Sequence, residues 1–165
     1  MKQKKIQTNF QRIETKYILD RAILERLEAE MAPYFIADDY ARSTITNIYF
    51  DNDDFQMIQD SIARRGGREK LRMRTYATEP TKDCQVFLEI KKKTEGLVSK
   101  RRLAADLLTA ETYLDGDYSQ LTDLQIDKEM AWLTQHFGNI QPMMYIGYNR
   151  YSMKGIEDPN VRITI

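Results

Sequence analysis

The order of apolar and polar positions changes character several times along the chain. Residues 68–76, REKLRMRTY, have no apolar face as a helix, but as a strand they alternate cleanly. Arg68, Lys70, Arg72 and Arg74 fall on one side, and Glu69, Leu71, Met73 and Thr75 on the other. The same period of two predicts strands over 9–18, 85–92 and 97–105. Aromatic and β-branched runs predict further strands at 44–51 and 142–153 and in the closing VRITI. Helical spacing takes over elsewhere. Asp20 is placed to cap a helix carrying Ile23, Leu24, Leu27 and Met31, which Pro33 ends. Phe55, Ile58 and Ile62 mark a short helix, and residues 118–138 a longer one that closes at Gly138. Residues 106–118 suit a loop or short helix, Gly66-Gly67 breaks the chain before the cationic strand, and KTEG with Gly96 makes a hairpin turn.

These elements predict one α+β domain over residues 1–165, an antiparallel β-barrel or tunnel with flanking helices. A terminal strand would be an open edge, so the sheet is expected to continue beyond Ile165, with the domain cut before its last strands.

The predicted strands share a charged face. Arg12, Glu14 and Lys16 lie together on the first, Phe87, Glu89 and Lys91 on another, and Val98, Lys100 and Arg102 on the next. Tyr148 pairs with Arg150 on the late strand, and Arg162 with Thr164 on the last. A solvated face of an antiparallel sheet alternates in the same way. Three features favour a binding surface instead. The charges are mostly of one sign, arginine is heavily used, and successive strands repeat the arrangement. Arginine suits forked contact with phosphate oxygens. A closed sheet would aim these side chains at one lumen, where so many cations need an anion of high charge density. Glu14 and Glu89 either neutralise neighbouring cations or, as hard oxygen ligands beside phosphates, hold Mg²⁺ or Mn²⁺.

Composition narrows the choice. Lys plus Arg and Asp plus Glu are both 25, so no general polyanion coat is implied. The cations cluster between residues 64 and 102, and acids dominate 105–130, which suggests a specific anion site. An aromatic nucleic-acid platform of Tyr76, Phe87, Tyr148 and Tyr151 is opposed by that neutrality. The single cysteine, Cys84, fits a reducing cytoplasm. No secretory signal or bilayer-length apolar run is present in these residues. His136, Cys84, Met130 and Trp132 read as structural, the last two as core.

Six motifs, FQRIETKYIL, NIYFD, KLRMRTY, FLEIKKK, VSKRR and VRITI, stand in one order over nearly the whole chain. In this the chain resembles the VTC domain, the polyphosphate polymerase domain of vacuolar transporter chaperone proteins. That domain lies within the CYTH or triphosphate tunnel metalloenzyme superfamily. The resemblance implies a basic, phosphate-filled β-tunnel, Mn²⁺ or Mg²⁺ as cofactor, ATP, polyphosphate or another triphosphate as ligand, and a membrane-protein partner. By position it implies that Lys16, Lys70, Arg72, Arg74, Lys91, Lys100, Arg150 and Arg162 bind phosphate, with Glu14 as the retained acid. The charged faces add Arg12 and Arg102 to the phosphate-binding set and Glu89 beside Glu14 as a metal ligand. Arg12 replaces the first Glu of the superfamily's E-x-E-x-K, as is common in the VTC branch. Lys70, Arg72, Arg74 and Lys91 are expected to hold the triphosphate during metal-dependent phosphoryl transfer. The alternatives are a triphosphatase, with water as acceptor, and a non-catalytic module that binds polyphosphate or inositol phosphate. The family pattern continues past VRITI with later strands, including a further glutamate implicated in metal binding.

Overall fold

The computed structural model describes residues 14–95, 97–117 and 125–165. Ten elements follow in chain order: α1 (Arg21–Met31), β1 (Phe35–Asp51), α2 (Gln56–Ile62), β2 (Gly67–Thr75), β3 (Gln85–Thr94), β4 (Leu97–Asp106), α3 (Leu107–Leu114), α4 (Gln125–Phe137), β5 (Gln141–Gly155) and β6 (Arg162–Thr164). The strands hydrogen-bond in the order β4-β3-β2-β1-β5-β6. The β1/β2, β2/β3, β3/β4 and β5/β6 pairs are antiparallel. The chain forms two compact units, Ile45–Tyr148 and a second made of described residues 14–44 with Asn149–Ile165; β1 and β5 contribute residues to each.

In the first unit, β2 has the predicted alternation. Glu69, Leu71, Met73 and Thr75 are buried, while Arg68, Lys70, Arg72 and Arg74 are half-buried on the other side. Leu71, Met73, Val86, Leu88 and Ile90 form a sheet face covered by Met57, Ala110, Tyr113, Ile126, Met130 and Leu133 from the helices. Apolar area removed from water on this one side holds the meander in register, since a slip of one residue would exchange the faces. α3 starts where the Asp106 carboxylate accepts from the Thr109 amide at 2.7 Å. α4 ends at Gly138, whose φ of 74° suits a residue without Cβ.

The second unit holds α1, capped as predicted by Asp20, whose carboxylate accepts from the Ile23 amide at 2.8 Å. Here β5 pairs with β6 through Ser152–Thr164 and Lys154–Arg162.

Three expectations are corrected. Residues 14–18 of the strand predicted over 9–18 have no regular secondary structure, because no neighbouring ladder among the described residues satisfies them; residues 9–13 lie outside the description. α2 buries Met57, not the predicted Phe55, Ile58 and Ile62, which are exposed. Its orientation is set by Asp51, whose buried carboxylate accepts from the Met57 and Ile58 amides, each at 2.9 Å. Trp132 is 46% exposed, stacked on His136 at 4.6 Å, so it is not core, whereas Met130 is. Of the two alternatives for residues 106–118, loop or short helix, the chain takes the helix over Leu107–Leu114. The predicted turn residue Gly96 and the predicted helix start at 118–124 lie outside the described residues.

Candidate phosphate-binding face

Opposite the helix-covered core, β2, β3 and β4 present three successive rungs. Register sets Lys70, Lys91 and Lys100 side by side; then Arg72, Glu89 and Arg102; then Arg74, Phe87 and Ala104. β1 extends two of them, with Tyr49 beside Arg72 and Asn47 beside Arg74. Six of the ten cations named from sequence are therefore brought onto one face by strand pairing, with Glu89 as the acid on those rungs.

Glu89 is 1% exposed and sits beneath three cationic heads. Its Oε1 accepts from Arg102 Nη2 at 2.6 Å and Nε at 2.8 Å, and from Lys100 Nζ at 2.7 Å. Its Oε2 accepts from Arg72 Nε at 2.7 Å and Nη2 at 2.6 Å. Burial alone would raise the carboxyl's pKa, but Lys100, Arg72 and Arg102 outweigh that and hold it at about 2. Burial also works on the cations. It pulls the Lys100 ammonium below its ordinary value despite Glu89, whereas Glu89 and Tyr49 outweigh burial at Arg72 and hold its guanidinium above.

The arginines are braced a second time. Arg72 Nη1 donates to the Tyr49 hydroxyl at 3.1 Å, and Arg74 Nε donates to Asn47 Oδ1 at 2.9 Å. Arg102 lies 4.6 Å over the Phe87 ring, which Tyr76 meets edge-on at 5.8 Å. Although burial disfavours its phenolate, the hydrogen bond from Arg74 leaves the Tyr76 hydroxyl more acidic than usual. Among the described residues, neither Lys70 nor Lys91 has an acidic partner, and Lys91 is exposed. Tyr49 and Asn47 were missed from sequence because both are neutral. Their spacing of two within TNIYFD places them on one face, but only register shows which arginines they brace.

The remaining candidates belong to the second unit. Lys16 pairs with Glu14 at 3.5 Å, both largely exposed. Arg162 Nη1 donates to Asp38 at 3.0 Å. Arg150 is half-buried, and its Nε has no hydrogen-bond partner among the described residues. Arg12 lies outside the described residues.

Metal-ligand geometry is a separate matter. Among the described residues, no three His, Cys, Asp or Glu side chains come together as a metal site. Both Glu89 oxygens are already engaged by cations, and Glu14 has Lys16 beside it. These residues as arranged do not fit a divalent ion. Nor is any helix among them long and apolar enough to cross a membrane.

This helix-flanked antiparallel sheet has a CYTH-like fold. A solved structure shares it: a Bacillus halodurans protein provisionally named an adenylate cyclase, with a TM-score of 0.54 and 13% sequence identity. The match covers 81% of this chain, and the chain spans 62% of that structure's length. No curated protein matches the sequence. The family is nonetheless plain, since the VTC domain model matches residues 11–165, and the chain belongs to that family.

Proposed function

We propose that this domain binds the phosphate chain of ATP, polyphosphate or a related triphosphate on the β2–β4 face and supports phosphoryl transfer of the polyphosphate-polymerase kind. The observation that carries the reading is the set of six cations on three adjacent rungs, three of them (Arg72, Lys100 and Arg102) anchored from beneath by one buried carboxylate. Membership of the VTC family supports the same ligand class. Phosphoryl transfer needs little covalent work from a protein; positioning and charge neutralisation do most of it. Arg72, Arg74 and Arg102 would take forked contacts on phosphate oxygens, with Lys70, Lys91 and Lys100 as point charges alongside. The acceptor is the end of a growing polyphosphate chain, or water if the domain is a triphosphatase.

A divalent ion would bridge phosphate oxygens and offset developing charge. The described carboxylates do not provide its site, so no step is assigned to it. That same observation favours a second reading, a module that binds polyphosphate or inositol phosphate without turnover.

One experiment tests the proposal: incubate the chain with ATP and Mn²⁺, quantify polyphosphate, phosphate and ADP, and measure tripolyphosphate binding in parallel. Polymer is expected under the first reading. Phosphate and ADP alone would identify a triphosphatase, and binding without product the non-catalytic module. A chain that neither binds nor converts these ligands refutes all three.

A further inference from the structure

Resting on the phosphate-binding reading, we infer that Glu89 is the positioning residue of this face and not a ligand for a metal ion. A carboxylate has about four lone-pair positions, and Glu89 receives five N–H contacts from Arg72, Arg102 and Lys100. Nothing is left for a metal unless a cation is first stripped away. Glu89 is 1% exposed, while the three side chains above it are 22%, 18% and 30% exposed. The carboxylate is therefore inside and its cations outside, the layering of an anchor and not of an open coordination site.

The donors that remain specify the ligand. Arg72 commits three of its five N–H groups, to Glu89 and Tyr49; Arg102 commits two, and Lys100 one. A guanidinium gripped along one edge has a fixed orientation along the other, so its free donors are set before any ligand arrives. Without the carboxylate, three like charges on neighbouring rungs would separate into solvent. The free donors of three anchored cations suit one extended anion with many charged oxygens, a triphosphate chain in preference to a single phosphate.

The test uses the whole chain in metal-free buffer with EDTA. Tripolyphosphate binding is measured by calorimetry at low and high salt for wild type, Glu89→Gln and Glu89→Asp. Thermal melting reports folding, and Mn²⁺ binding is followed separately by electron paramagnetic resonance. Glu89→Gln adds one net positive charge to the face, so its affinity should depend on salt more steeply than that of wild type. At high salt, where that added attraction is screened, it should bind tripolyphosphate about tenfold more weakly, the loss belonging to lost positioning. Glu89→Asp keeps the charge and should recover part of the loss. Mn²⁺ binding should be equal in wild type and Glu89→Gln.

Equal or tighter tripolyphosphate binding by Glu89→Gln at every salt concentration overturns the inference, as does loss of a wild-type Mn²⁺ signal in that variant. If Glu89→Gln does not fold, Glu89→Asp decides: affinity below wild type at high salt is expected, and wild-type affinity overturns the inference. No tripolyphosphate binding by wild type overturns the functional reading and this inference together.

Discussion

Buried beneath Arg72, Lys100 and Arg102, Glu89 remains charged because its neighbours outweigh the cost of leaving water. Its pKa in the folded chain, about 2, lies below the ordinary 4.5. A depressed carboxyl contributes stability that is present above the unfolded value and lost as pH falls through the folded one. The gap between wild type and Glu89→Gln in urea denaturation should thus be constant above about pH 5 and shrink by about 3 kcal/mol between pH 4.5 and 2. A gap that did not change over that range would show that Glu89 is not ionised in this arrangement. Arg72 tests the ligand side of the same rung. Truncating it to alanine removes a doubly braced fork, and tripolyphosphate affinity should drop roughly 10- to 100-fold by calorimetry.

At the scale of elements, capping and burial decide what the strands can present. Asp51 ends β1 and accepts from three amides, those of Asn52, Met57 and Ile58, so it fixes both the turn and the start of α2. Asp51→Ala should cost about 2 kcal/mol in denaturant unfolding while leaving tripolyphosphate affinity per folded molecule unchanged. On the helix-covered face, Glu69 is buried with one oxygen on Lys92 Nζ at 2.6 Å, and that ammonium lies 5.2 Å from the Trp132 ring centre. Most of the strands were legible in sequence because period two with one apolar side has a single reading. Arg72 and Arg74 could be placed on one face for the same reason. What Asp51 does could not, because its partners lie six and seven residues on, across a turn that periodicity does not describe. Trp132 was misread because its spacing fits a core stripe, and only packing shows Lys92 in front of it. The grip on Glu89 was also beyond reach, since alternation gives a residue's face but not its opposite number on the next strand.

Over the whole molecule, net charge is zero while the β2–β4 rungs carry six cations against one carboxylate. The proposed attraction for a phosphate chain would therefore be local, and salt should weaken it without any general affinity for polyanions. Tripolyphosphate should fully compete any nucleic acid retained in a gel shift; nucleic acid that survives saturating competitor would indicate a separate surface.

β2 carries two properties in alternate residues. Leu71 and Met73 answer to the helices, while Lys70, Arg72 and Arg74 lie on the proposed phosphate-binding side. A mutational scan along this strand, scored once for abundance and once for phosphate retention, should give two sawtooth traces half a period apart. Selection on binding could then retune every second letter of the strand with little interference from folding, whereas a single inserted residue would put both traces out of phase at once.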